Sequence, residues 1–297
     1  MIKTNVTNIG DPFVLRSGEA YYMYATSFDP AGFHVWKSTD LKVWRDLGVC
    51  LDMRNSWAEG SFWAPEVVFY HGKFVMHFTA RRKSDHSLRI GVAFSENPAG
   101  PFIQPRNEPM FDFGYAAIDG HVFFDDDGER YFYYSRDCCE NVVGGSHTSH
   151  IYAVKLNAAL DGTEGEAKFL IGAEKPFETD GDGSWLWNEG PAVLKRDGKY
   201  FLFYSANYYA SKKYCICVAT SEYPDRNFVK DESTNPVLEA KDDMGISGPG
   251  HNSFFYDSEG KLKTAFHVHT FPEEPSDNRR VCVADVIYRK GNFRIVI

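Results

Sequence analysis

Little in this sequence favours a helix, a membrane or a nucleic acid. No segment sustains apolar residues at the 3.6-residue helical period. No apolar stretch approaches the roughly 20 residues that a membrane-spanning helix needs. Basic runs are missing too. The 32 Lys and Arg are outnumbered by 41 Asp and Glu, giving a formal net charge of −9. That balance argues against a nucleic-acid partner, whose phosphates demand basic patches, and suits a neutral ligand. The first residues, Met1-Ile2-Lys3-Thr4-Asn5, lack the apolar region of a secretion signal. The expectation is a cytoplasmic protein, or a secreted or periplasmic one if a leader has been removed. Cysteine is sparse: Cys50, Cys138, Cys139, Cys215, Cys217 and Cys282 show no zinc-site spacing. They read as free, buried thiols in a reducing compartment.

What the chain has in quantity is aromatic residues, 16% of the total, arranged in a repeat. One unit runs Asp11–Leu15, turn, Ala20–Tyr24. The next runs Trp63–Val68, turn at His71-Gly72-Lys73, Phe74–Phe78. A third runs Ile118–Phe123, turn at Asp126-Asp127-Gly128, Arg130–Tyr134. A fourth runs Glu189–Leu194, turn at Lys195–Gly198, Lys199–Tyr204. A fifth runs Gly250–Phe255, turn at Ser258-Glu259-Gly260, Leu262–Phe266. Each unit reads as a strand, a Gly turn, an aromatic strand, a loop, a further strand and often an edge strand. Five such units predict an all-β fold, a five-bladed β-propeller with four-stranded blades, as a single catalytic domain over residues 1–297. A two-sheet sandwich would not need one unit five times. The longest inserts, Asp137–His150 and Asp161–Ser184, are polar and Gly-rich and are expected to be surface loops near the site. The Asp125-Asp126-Asp127 run resembles a calcium cluster in composition but, followed by Gly128 and without EF-hand spacing, reads as a hairpin turn.

In a propeller the first strand of each blade lines the axis, so its first residues ring the entrance. That ring comprises Asp11, Trp63 with Glu66, Asp119, Glu189 and His251. Carboxylates that track a repeat are not a random surface pattern. Two carboxyls flanking a bond can cleave a glycoside, one protonating the leaving oxygen and the other activating water or attacking directly. Glu189, between Trp187 and Pro191-Ala192, has the apolar surround that raises a pKa and is assigned the general acid. Asp11, stiffened by Pro12, is assigned the general base. Asp119 is a third carboxylate whose charge would raise the pKa of Glu189 and keep it protonated. Trp63 suits either a sugar face or blade packing. His251 suits a water, an ion or a substrate hydroxyl.

Gly10-Asp-Pro-Phe-Val14, Ala117-Ile-Asp-Gly-His-Val-Phe123 and Asn188-Glu-Gly-Pro-Ala-Val193 resemble the three catalytic motifs of glycoside hydrolase family 43. Ser38–Trp44, Ser61–Val67 and Gly248–Ser253 resemble its supporting motifs. The resemblance covers nearly the whole chain. It implies a five-bladed propeller and an inverting mechanism, with Asp11 as base, Glu189 as acid and Asp119 as pKa modulator and orienter. It places Trp63 at the pocket and implies that Arg280 reaches it. It also implies a possible calcium near His251, with no cofactor required. The implied substrates are oligosaccharides of plant cell walls, with α-L-arabinofuranosyl release expected first. β-D-xylosidase, arabinanase and galactan-directed action are the alternatives within the family. No accessory β-sandwich domain follows the propeller units in this sequence, which leans toward the arabinan-directed activities.

Two rivals come from other classes. A sugar phosphorylase would need a basic phosphate pocket where Asp11 stands. A non-catalytic sugar-binding propeller would be expected to have lost one of the three carboxylates. The sequence leaves the sugar, exo or endo action and the oligomeric state open.

Overall fold

The computed structural model describes residues 1–179 and 181–297 and is built from β-strands with short 3-10 turns. Five sheets are arranged as blades. Blade one is Phe13–Ser17, Ala20–Tyr24, Gly32–Ser38 and Arg45–Asp52. Blade two is Ala58–Tyr70, Lys73–Arg82 and Leu88–Ser95. Blade three is Ala117–Phe124, Arg130–Arg136, His150–Leu156 and Thr163–Gly172. Blade four is Asn188–Arg196, Lys199–Ala206 and Cys215–Ser221. Blade five is Gly250–Tyr256, Leu262–His269 and Arg279–Arg289.

The outer edges depart from the expected four regular strands. In blades two and four the fourth strand shrinks to isolated bridges, Phe94 to Ile103, Thr220 to Val229 and Ile216 to Leu238. In blade five the outer edge is composite. Ile2–Thr7 pairs with the first part of Arg279–Arg289, and Asn292–Val296 pairs with the rest. The early strand thereby closes the ring. Asn5 ties it onward to blade one, since its side chain donates to the Trp44 carbonyl (2.9 Å) and accepts from the Trp44 amide (2.8 Å).

The apolar core is divided into one cluster per gap between neighbouring blades. Blades three and four share Tyr131, Tyr133, Leu202 and Tyr204, whereas blades four and five share Phe201, Phe203, Phe266 and Val268. Alternate residues of one strand therefore serve different gaps. This explains why the second strands of blades one, three and four run unbroken in aromatic or aliphatic residues. A strand covered on both faces has no solvent face to make polar.

Both long inserts are more ordered than expected. Thr163–Gly172, inside the second, is the fourth strand of blade three, and its polar residues are those of a half-exposed edge. Asp180 in that insert lies outside the described residues. The first insert forms a small hairpin, Val142–Val143 with Ser146–Thr148, which pairs in parallel with Trp185–Leu186. The Asp125–Asp127 run is a hairpin turn. Asp125 is buried there and held by Lys195 and by the Tyr200 hydroxyl.

One local device recurs at the axis. Asp11, Ala64, Asp119, Gly190 and His251 all have positive φ, between 41° and 59°. Asp11 lies just before its inner strand, Asp119, Gly190 and His251 near the start of theirs and Ala64 midway along the longer Ala58–Tyr70, and in blades two to five they coincide with a slip in pairing register. Such left-handed bulges turn the backbone amide sideways, and it must find an acceptor. Four amides donate to a side chain one or two residues past the preceding blade's second-strand run. Ala64 donates to Thr26 (3.0 Å), Asp119 to Thr79 (3.0 Å), His251 to Ser205 (2.7 Å) and Asp11 to His267 Nδ1 (3.1 Å). The fifth breaks the pattern. The Gly190 amide donates to Asp119 Oδ2 (3.0 Å), while Ser135, at the matching position, has a buried hydroxyl with no partner among the described residues.

Candidate active site

The bulges aim three carboxyls into one cavity of about 610 Å³ at the axis. Asp11 lies in the turn into blade one, Asp119 in the inner strand of blade three, and Glu189 in the inner strand of blade four. Aromatic rings, among them Phe28, Trp63, Trp185, Trp187, Tyr208 and Tyr209, line the walls.

Asp11 is surrounded by donors. Arg279 donates to its Oδ1 (2.9 Å), Thr26 donates to Oδ2, and His251 Nδ1 stands 3.3 Å from Oδ1. Burial alone would raise its pKa. The Arg279 guanidinium first, then His251, His267 and the Thr26 hydroxyl, overcome that and hold the carboxyl well below the usual carboxylate range. Asp11 is therefore an ionised base. Gly10 makes this contact possible, because a Cβ there would fall 2.1 Å from the Arg279 guanidinium.

Glu189 has the opposite setting. Burial pushes its pKa up. The one hydrogen bond that opposes this is donated by Tyr214 to Oε1 (2.9 Å), and the charges of Asp11 and Asp137 push further upward. With Oε1 engaged, Oε2 is left to carry the proton. Asp119 is also driven up by burial, and its Oδ2 accepts from the amide of Gly190, the residue after Glu189. Asp119 thus fixes the backbone that carries Glu189, an orienting contact. Asp11 and Asp137 push Glu189 upward while the Arg279 guanidinium pulls it down, Asp119 and Glu189 repel each other, and nothing in the sequence pattern marked Asp137. Gly190 itself is required on two counts. Its φ is +59°, and a side chain would press on the His251 ring at 3.1 Å.

Behind Glu189 lies a buried ion pair. Lys230 Nζ donates to Glu178 Oε1 (2.6 Å), to Asn188 Oδ1 (2.8 Å) and to the Gly172 carbonyl (2.7 Å). Glu178 also accepts from the Tyr204 hydroxyl (2.7 Å) and from the amides of Glu174 and Lys175. Asn188, gripped between the two charges, adjoins Glu189 in the chain. The second insert thus supports the site from behind, and none of its described residues lines the cavity.

Of the expected binding residues, Trp63 and His251 line the cavity, and Trp63 also packs on Leu88, Ala116 and Ile118. Arg280 does not. The arginine at the cavity is its neighbour Arg279, which lies over the Tyr209 ring at 4.9 Å. Strand alternation decides this, because a one-residue shift sends a side chain to the other face of the sheet. Glu66 lies off the cavity. Its carboxylate meets His121 Nδ1 (2.8 Å), while His121 Nε2 accepts from the Val193 amide (3.0 Å), an interlock of blades two, three and four. Of the six free cysteines five are buried, and the exposed Cys139 lines the cavity beside Cys138. Around His251 the donors are imidazole nitrogens and an Asp11 oxygen already held by Arg279. That set falls short of the six to eight oxygens calcium takes, so these residues alone do not form a calcium cage.

A propeller whose axial pocket pairs an ionised aspartate with a protonated glutamate is the framework of an acid–base glycosidase. The chain matches the family model "Glycosyl hydrolases family 43" over residues 5–293. It is 26% identical to the beta-D-galactofuranosidase xynD of Aspergillus niger, over 95% of this chain and 80% of that one. It is 29% identical to a xylosidase/arabinosidase of Bacteroides ovatus, over 70% and 68%. Among solved structures, a thermostable family-43 glycoside hydrolase superimposes with a TM-score of 0.94 at 40% identity, over 99% of this chain and 96% of that one. The chain belongs to glycoside hydrolase family 43 and is an inverting hydrolase of O-glycosyl bonds.

Proposed function

We propose that the protein releases terminal α-L-arabinofuranosyl units from plant cell-wall oligosaccharides, with Asp11 as base and Glu189 as acid. The observation that carries this reading is the split in proton affinity between two carboxyls of one pocket. Asp11 is ionised by Arg279, whereas Glu189 is kept protonated by burial. Ionised Asp11 takes a proton from a water on one face of the sugar. Glu189 gives its proton to the glycosidic oxygen on the other, so the anomeric centre inverts. Asp119 holds the Gly190 amide and with it the acid's backbone.

The sugar assignment draws on the relatives. One is named a galactofuranosidase and another a xylosidase/arabinosidase. α-L-Arabinofuranose and β-D-galactofuranose share the same ring configuration and differ by one exocyclic carbon, so a furanosyl-shaped pocket reconciles the two names. Activity on the 4-nitrophenyl glycosides of α-L-arabinofuranose, β-D-galactofuranose and β-D-xylose tests the reading. The arabinofuranoside is expected to have the highest kcat/KM, abolished in Asp11→Ala. Preference for the xyloside would overturn the sugar, and strict phosphate dependence would overturn hydrolysis.

A further inference from the structure

Two adjacent thiols and a carboxylate stand together in the cavity wall, and nothing in the acid–base chemistry uses the sulfurs. Asp137, Cys138 and Cys139 lead from the second strand of blade three into the first insert. One donor atom from each lies within 4.8 Å of the other two. Asp137 and Cys138 are buried, whereas Cys139 is exposed at the cavity. Around a tetrahedral zinc, with bonds of about 2.0–2.3 Å, donors stand roughly 3.3–3.8 Å apart, so closing this set on a cation asks for a movement on the order of 1 Å. Three protein ligands with a fourth position on open space is the arrangement of an accessible zinc site, not of a structural one.

The turn that carries the donors is clamped. The Asp137 amide donates to the Ala116 carbonyl (2.9 Å), and Glu140 Oε2 accepts from the Ala116 amide (2.8 Å). Asp137 Oδ1 accepts from the Cys139 amide (2.9 Å), while Oδ2 faces the Cys138 sulfur at 4.0 Å. The His147 ring pairs through Nδ1 with the Cys138 carbonyl (2.9 Å). Beside the Cys138 sulfur lies the hydroxyl of Ser149, wholly buried and without a hydrogen-bond partner at ordinary distance among the described residues. A hydroxyl so placed is a ready donor to a metal-held thiolate, and such outer partners keep ligands in position.

Ligand chemistry selects the cation. Thiolates are soft ligands that favour zinc-like ions, whereas calcium and magnesium want oxygen. We propose that Asp137, Cys138 and Cys139 form an inhibitory site for a thiophilic divalent cation of the Zn²⁺ class, with water in the fourth position facing the cavity. Binding makes two metal–sulfur bonds and one metal–oxygen bond, and the two thiol protons pass to solvent. The bound cation stands in the cavity wall, and its charge offsets that of Asp137, one of the groups that push the proton affinity of Glu189 upward. Hydrolysis is inhibited as a result. The inhibition rests on Glu189 being the acid, and the binding does not.

The test titrates the full chain, in buffer free of other thiols, with Cd²⁺, whose bonds to thiolates absorb in the ultraviolet. The wild type is expected to develop that absorption, and added Zn²⁺ is expected to remove it. In parallel, Zn²⁺ is expected to inhibit release from the 4-nitrophenyl glycoside that the enzyme turns over, and Mg²⁺ and Ca²⁺ are not. Cys139→Ser is expected to weaken both effects by about tenfold or more, since even an outer partner of a ligand is worth that much. Inhibition is referred to each variant's own uninhibited rate. Asp137→Asn, which keeps an oxygen at the turn, is expected to weaken both effects less. Undiminished absorption in Cys139→Ser assigns the cation to the buried pair Cys215 and Cys217, whose sulfurs lie 3.7 Å apart, and overturns the site. A wild type without the absorption overturns it too, and a bound cation that leaves turnover unchanged overturns the inhibition. The spectral arm needs no substrate, so its failure is distinct from failure of the sugar assignment.

Discussion

Asp11 and Glu189 face one cavity and are both largely withdrawn from water, yet they bind protons oppositely. Burial pushes both up. Asp11 sits among a guanidinium, two imidazoles and a hydroxyl. Glu189 has one tyrosine hydroxyl and a weaker influence of Arg279 against the charges of two aspartates. Burial supplies a common upward push, and the neighbours decide which carboxyl becomes acid and which base.

Removing either group has the largest expected effect. Asp11→Asn is expected to lower kcat by roughly 10²–10⁴-fold on every substrate. Glu189→Gln is expected to lose as much on an arabino-oligosaccharide but far less on the 4-nitrophenyl glycoside, whose leaving group departs without a proton. Equal losses for Glu189→Gln on both substrates would remove it as the acid.

A second break strikes the support behind Glu189. Lys230→Met leaves Glu178 charged and unpaired in the interior. It is expected to cost about 3–5 kcal/mol in urea unfolding, with Lys230→Met/Glu178→Gln recovering much of it. An unchanged unfolding midpoint in the single variant would mean that the pair contributes nothing there.

Two smaller changes sharpen the contrast through pH. Because Asp11 is depressed, activity persists as pH falls until below the ordinary aspartate range. Because Glu189 is raised, activity is lost on the alkaline side, as pH rises through its elevated pKa. Arg279→Met removes the leading downward influence on Asp11. It is expected to move the acid limb of kcat/KM upward by about one unit or more. Asp137→Asn removes one of two charges pressing on Glu189 and leaves burial in place, so its alkaline limb is expected to move down by less. An alkaline limb unmoved by Asp137→Asn would assign the elevation to burial and Asp11.

The repeat in the sequence carried the propeller and put Asp11, Asp119 and Glu189 on one ring, because period and turn chemistry are local properties. The left-handed latches were also written there. Thr26, Thr79, Ser135, Ser205 and His267 each lie one or two residues past a second-strand run, though only the folded backbone shows that four of them accept a bulge amide. Arg279 and Arg280 could not be told apart, since neighbouring strand residues differ only in parity and the bulges reset it. Asp137 and Tyr214 reach Glu189 from distant loops and strands, and Ile2–Thr7 joins blade five from the far end of the sequence. Contacts of that range leave no periodic trace.

The composite outer edge of blade five has a consequence for biosynthesis. Ile2–Thr7 is made before the first blade, but its partners, Arg280 to Val283, are made only after the inner strands of all five blades. The amide of Asp11 likewise waits for His267. Asp119 and Glu189 can be seated by blades two to four alone, whereas the base is seated only when the ring shuts. A nascent chain would therefore hold its acid in place before its base, and remain without a seated base until blade five has been made.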